Sequence, residues 1–147
     1  MSYLGLDVGD VRVGVAGLEN LSALPHPIGT FARANSEAET EVLKLIAARQ
    51  VGLLVVGLPL GEQNERTSQC ESVEKFCRRI LRRAPAVQVA YVDEYASTRT
   101  AEERFREARA GHSSRRARQS ERRGYIDALA AVTILETYLQ SLQASPS

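Results

Sequence analysis

An aspartate interrupts the first apolar run of the chain, Leu4-Gly5-Leu6-Asp7-Val8-Gly9, and a second β-rich run follows at once, Val11-Arg12-Val13-Gly14-Val15-Ala16-Gly17. Burying an unpaired carboxylate costs several kcal/mol or drives it to take up a proton. Asp7 therefore needs a partner, and a divalent cation is the usual companion of a carboxylate that stays ionised in such a sheet. The two runs, residues 3 to 8 and 11 to 17, meet at Gly9-Asp10, a short hairpin signal, so they should pair antiparallel. Gly14 and Gly17 mark a close backbone approach or a bend.

The rest of the chain alternates helical and strand patterns. After a Pro25-His26-Pro27 turn, in which His26 reads as a surface turn residue, Ile28 to Phe31 is a third strand. Ser36 with Glu39 has the form of a capping box, and Val42, Leu45 and Ile46 carry a helix to a stop at Gln50 and Gly52. Leu53 to Gly57 is a continuous apolar run, as in a parallel strand covered on both faces, and the order gives a βαβ unit and an α/β class. Its carboxyl end, Gly57-Leu58-Pro59-Leu60-Gly61, lies where α/β sheets place their ligands. Val73, Phe76, Cys77, Ile80 and Leu81 mark a second helix ended by Pro85, and Val87 to Val92 is a strand that finishes at Asp93-Glu94. Thr100 with Glu103 caps a further helix to about Arg109, which Gly111-His112-Ser113-Ser114 breaks. Residues 115 to 123 lack apolar periodicity and read as a mobile loop or a loosely held helical turn, with His112 a solvated loop residue before them. A buried helix runs from about Tyr125 to Leu142, with Asp127 near its N-terminus and in line with Ala131, Ile134 and Tyr138.

These 147 residues, 44% hydrophobic and 25% charged, suit one soluble domain over residues 1–142 with a short disordered tail at 143–147. No run is long and apolar enough for a membrane span, and no leader pattern opens the chain, so a cytoplasmic protein without membrane contact is expected. Cys70 and Cys77, seven apart, fall on one helix face and read as small buried hydrophobes rather than a metal or redox pair. Charge is more informative. Seventeen of the nineteen basic residues are arginine, and nine of those lie between Arg99 and Arg123 against four acids. A local excess of guanidinium groups favours bidentate contacts to phosphate, so a polyanion is the expected partner.

Three acids stand in apolar contexts: Asp7, Glu94 and Asp127. Converging at one sheet edge, they would hold one or two hard divalent cations, which assist phosphodiester hydrolysis. Each has a plainer reading. Asp7 pairs with an arginine, Glu94 is a solvated helix-entry residue, and Asp127 complements a helix dipole. Asp10 and Asp93 are assigned to the turn and to surface or supporting roles.

Four motifs in order then give a resemblance. They are Gly5-Leu6-Asp7-Val8-Gly9-Asp10 with Arg12-Val13-Gly14-Val15-Ala16; Val56-Gly57-Leu58-Pro59-Leu60; Val92-Asp93-Glu94; and Arg123-Gly124-Tyr125-Ile126-Asp127-Ala128-Leu129-Ala130-Ala131 with Ile134-Leu135. From Leu4 to about Leu139 the chain resembles the short RNase H-like pre-16S rRNA nucleases and Holliday junction resolvases of the YqgF/RuvX type. The resemblance implies an RNase H-like five-stranded mixed sheet flanked by helices on both faces, with Asp7, Glu94 and Asp127 as catalytic and metal-binding residues. It also implies Mg²⁺ or Mn²⁺ and a nucleic-acid substrate, RNA before DNA. The family usually has an arginine after Asp-Glu, where this chain has Tyr95, and Arg99 or Arg123 would compensate. The residues expected to hold nucleic acid are Arg12, Arg99, Arg115, Arg116, Arg118, Arg122 and Arg123.

The leading expectation is a metal-dependent nuclease, monomeric or homodimeric, that processes the 5′ end of pre-16S rRNA. The alternatives are a Holliday junction resolvase or DNA-repair nuclease, and a non-catalytic RNA-binding ribosome-assembly factor. Asp7-Val8-Gly9 with Gly14 also resembles the first phosphate loop of actin-like and sugar-kinase ATPases, but those enclose a nucleotide between two lobes that one domain of this length does not supply.

Overall fold

A computed structural model describes residues 1–60, 65–93 and 115–144, with side chains in the last segment from Asp127 to Gln143. Its strands are β1 (Ser2–Val8), β2 (Arg12–Leu18), β3 (His26–Ala32), β4 (Val51–Leu58) and β5 (Gln88–Asp93). The helices are α1 (Glu37–Arg49), α2 (Ser68–Arg83) and α3 (Arg115–Ala144). The five strands form one mixed sheet in the order β3-β2-β1-β4-β5. The β1–β2 and β2–β3 pairs are antiparallel, as the Gly9-Asp10 hairpin signal requires, and β4 runs parallel to both β1 and β5.

Strand alternation sorts the side chains into two cores. Leu4, Leu6 and Val8 of β1, Val13 and Val15 of β2, and Leu54 and Val56 of β4 face α1 and α2, where Val42, Ile46, Val73, Phe76 and Ile80 close over them. Tyr3, Ala16, Leu18 and Val55 face the other way, onto Ala131, Val132, Ile134 and Leu135 of α3. β4 is thus covered on both faces, which is why it reads as an unbroken apolar run. Helix α3 touches all five strands. Asp7, two residues after Gly5, shares the α3 face of β1 by the same alternation.

Four local expectations are corrected. Residues 115–123 are continuous first turns of α3 rather than a loop or an isolated helical turn; arginine, alanine, glutamine and glutamate favour helix without any apolar stripe. Asp127 consequently lies mid-helix, away from the N-terminal dipole. The Ser36 capping box does not form: Ser36 has φ 58° and no side-chain cap, and Glu37 instead accepts the Ala32 N–H at 3.1 Å. His26 begins β3 rather than serving only as a turn residue, and Arg49 Nη1 donates to its Nε2 at 3.1 Å.

Cys70 and Cys77 are free and buried, as their helical spacing suggests. The expected helix after Thr100, and His112, lie outside the described residues, as do 145–147 of the expected tail, whereas Gln143 and Ala144 are helical. No helix among the described residues is long and apolar enough to cross a membrane.

Candidate active site

Two glycines let α3 lie directly against the sheet. A Cβ at Gly5 would stand 2.6 Å from the Ala131 carbonyl oxygen and 2.7 Å from Leu135 Cγ. A Cβ at Gly14 would collide with the carbonyl carbon and oxygen of Asp127. Gly14 is also the residue opposite Asp7 in the β1–β2 ladder. One bare strand position therefore brings Asp127, 120 residues after Asp7 in the chain, over the ladder neighbour of Asp7.

The electrostatics follow from this placement. The Asp7 carboxyl is pushed up to about 7, first by burial and then by the nearby Asp127 carboxylate. Asp127 has its own partner: Arg12 Nε donates to Oδ2 at 2.9 Å. Arg12 stands two residues before Gly14 on β2, so strand alternation puts its side chain on the α3 face. Among the described residues the arginine partner expected of Asp7 is found instead on Asp127. Asp10 is an exposed turn residue.

The third acid, Glu94, lies outside the described residues, and so do Tyr95 and Arg99. β5 ends immediately before Glu94, at Asp93, which registers with Leu58 at the carboxyl end of β4. β1, β4 and β5 are parallel, so the strand end that precedes Glu94 is on the same sheet edge as Asp7. Arg115, Arg116, Arg118, Arg122 and Arg123 have helical backbone in α3, with side chains outside the described set. Arg123 precedes Asp127 by four residues, about one helical turn.

No group of three potential metal-binding side chains is complete among the described residues. The two described acids nevertheless fit a hard divalent cation by their chemistry. Both offer carboxylate oxygens, and burial together with the second negative charge makes ionised Asp7 costly until a cation offsets it.

Sequence reading missed the Arg12–Asp127 pair, although Arg12 and Gly14 at strand spacing carried the signal. It also missed Arg33, which lies after β3 in no recognisable motif. Arg33 Nη1 donates to the Gly9 carbonyl at 3.1 Å and to Ser72 Oγ at 2.8 Å, tying the turn after Asp7 to α2.

Comparison with known proteins agrees with this architecture. The family described as RuvX, Holliday junction resolvase, matches residues 1–141. A candidate pre-16S rRNA nuclease of Synechococcus sp. strain JA-2-3B'a(2-13) is 37% identical over 148 aligned positions, covering 100% of this chain and 82% of the relative. A protein of the same name from Synechocystis sp. PCC 6803 is 35% identical over 140 positions, 95% of this chain and 87% of the relative. Among solved structures, Thermus thermophilus RuvC in complex with a Holliday junction substrate superposes with a TM-score of 0.57 at 16% identity, over the full length of both chains. This last likeness is one of fold.

Proposed function

The chain belongs to the RuvX family of Holliday junction resolvases, and from that premise we propose that it is a metal-dependent nuclease that trims the 5′ end of pre-16S rRNA. The observation that carries the reading is the placement of Asp127 over Gly14, the ladder neighbour of Asp7. Two carboxylates at one strand end, with a guanidinium beside them, form an acidic centre with a basic rim. The relatives' names favour rRNA as the polymer.

Asp7 and Asp127, with Glu94, the residue that follows β5 in the sequence, would hold Mg²⁺ or Mn²⁺. When bound, such an ion neutralises phosphate charge and acidifies a water molecule. The chain's own residues set the stage. Gly14 fixes the distance between strand and helix, and Arg12 pairs with the Asp127 carboxylate. Burial and the Asp127 charge push the Asp7 carboxyl up in the metal-free chain, so its ionised form favours a bound cation. Arg12, Arg99, Arg115, Arg116, Arg118, Arg122 and Arg123 supply guanidinium groups for the backbone of the substrate, so binding weakens as salt rises.

The test is a cleavage panel with Mg²⁺ and with Mn²⁺ across 5′-extended rRNA, single strands and four-way junctions, read against Asp7→Asn. Cleavage of the extended rRNA that Asp7→Asn abolishes supports the proposal. Preferential cutting of junctions would transfer the reading to a resolvase, which requires two sites in a symmetric dimer. Undiminished cutting by Asp7→Asn, in protein free of contaminating nuclease, would overturn it.

A further inference from the structure

The face of the sheet opposite α3 carries a second basic surface that the catalytic reading leaves unused. α2 turns Val73, Phe76, Cys77 and Ile80 into the core. Its other side exposes Lys75, Arg78, Arg79, Arg82 and Arg83. The helix dipole accounts for Arg82 and Arg83, which lie in the last turn. It does not account for Lys75 and Arg78, which precede that turn. Arg79 holds Glu39 at 3.3 Å, and Arg66, just before the helix, holds Glu74. Lys75, Arg82 and Arg83 form no ion pair among the described residues.

This surface is joined to the acidic centre through Arg33. Its backbone N–H donates to the Val11 carbonyl at 2.8 Å, and its side chain reaches the Gly9 carbonyl and Ser72. The guanidinium also stacks over Phe76, 5.5 Å from the ring centroid. Gly9 is two residues beyond Asp7. The same guanidinium lines a groove of about 750 Å³ with Arg66, Lys75, Arg78 and Arg79, in which the cations outnumber two acids, Glu71 and the Arg66-paired Glu74. The groove thus adjoins the β1–β2 turn, and its cations continue along α2 for roughly 10 Å from Lys75 to Arg82.

We infer that this groove and the outer stripe of α2 hold the phosphate backbone of RNA flanking the cleaved bond, the strand crossing the sheet edge at Gly9. The inference rests on the nuclease reading and extends it. It requires a footprint on both faces of the sheet, with the Asp7–Asp127 side contacting the reacting phosphate and the α2 side its flank. Arginine supplies most of the charge, and its planar fork suits phosphate oxygens. A merely solvated face would need no fixed continuity between Arg33, the Gly9 turn and the groove.

The test uses full-length protein carrying Asp7→Asn, so that RNA is bound without being cut. It is titrated with unstructured RNAs of about five and about twenty nucleotides over a range of salt. Adding Lys75→Ala, Arg78→Ala and Arg82→Ala lowers affinity for the long RNA about tenfold near physiological salt. The salt slope falls by about two, the value for three lost single-strand phosphate contacts. Affinity for the short RNA stays within about twofold, and Lys75→Arg with Arg78→Lys and Arg82→Lys retains long-RNA binding. Unchanged long-RNA affinity and slope overturn the inference, including the case in which the surface serves a protein partner. Equal losses for both lengths also overturn it, and a thermal melt identifies a folding defect as their cause. Cleavage by protein with Asp7 intact judges the nuclease reading separately, so cutting together with an unaffected triple variant refutes only the second surface.

Discussion

Arg12 and Asp127 meet across the β2–α3 interface, Nε to Oδ2 at 2.9 Å, and the pair sets the charge of the acidic centre. Their side chains are 38% and 23% exposed, so solvent screens the attraction and its contribution to stability is at most about 1 kcal/mol. Its larger effect is competition, because a guanidinium on Asp127 opposes a second cation on the same carboxylate. Arg12→Ala is therefore expected to bind Mn²⁺ several-fold more tightly by calorimetry while binding RNA more weakly. Weaker Mn²⁺ binding by the variant would show that Arg12 chiefly positions Asp127.

Metal-free protein should lose stability as pH rises. The Asp7 carboxyl is held up to about 7 in the folded chain, against about 4 for an unfolded aspartate. Between those values the folded state binds the extra proton, so stability is full below pH 4 and declines until about pH 7, then levels off. The loss is on the order of a few kcal/mol, and Asp7→Asn removes this step. In EDTA at pH 8 the asparagine variant melts above wild type, and Mn²⁺ raises the wild-type Tm more than that of the variant. A wild-type melt that does not fall between pH 4 and 7 relative to the variant contradicts the assignment.

What the sequence made legible was periodic. Strand alternation around Asp7, the apolar run of β4 and the 3.6-residue stripe of α2 all express burial, and burial leaves a pattern. The beginning of α3 left none, because residues 115–123 are helical by propensity and chain continuity. Reading it as a loop or a loosely held turn sets Asp127 near a helix start, where a dipole contact is its plainer alternative, whereas its ion-pair partner is Arg12 on another element. Long-range pairings of this kind depend on three-dimensional register, which one strand and one helix do not announce separately. Ser36 failed as a cap for a related reason: backbone geometry in the preceding turn put it in the left-handed region, where its side chain makes no cap.

Both thiols should be silent in the native protein. Cys70 and Cys77 are 0% and 1% exposed. Burial pushes the Cys77 thiol up to about 11, an effect that its hydrogen bond with Tyr91 only partly offsets. Thiolate, the reactive form, is therefore scarce at neutral pH. Maleimide at pH 7.5 is expected to label neither cysteine until denaturant unfolds the chain, with mass spectrometry as the readout. Rapid native labelling of Cys77 would place α2 differently.

Gly14 is the position on which the centre depends most. A methyl group there meets the Asp127 backbone, and a backbone carbonyl cannot rotate away as the end of a side chain can. Gly14→Ala must push α3 off β2, separating Asp127 from both Asp7 and Arg12 and opening the core that Ala131 and Leu135 close. Overpacking of this kind costs about 1 to 3 kcal/mol, and urea denaturation should register it as a lower midpoint. Gly29→Ala is the matched control on β3, since its added carbon would find only Phe31, at an ordinary 3.5 Å. If the close approach of helix and strand builds the site, Gly14→Ala loses cleavage and Mn²⁺ affinity even under conditions where it stays fully folded, while Gly29→Ala keeps both. Equal behaviour of the two variants would mean that α3 does not rest on Gly14, and the position of Asp127 would need another cause.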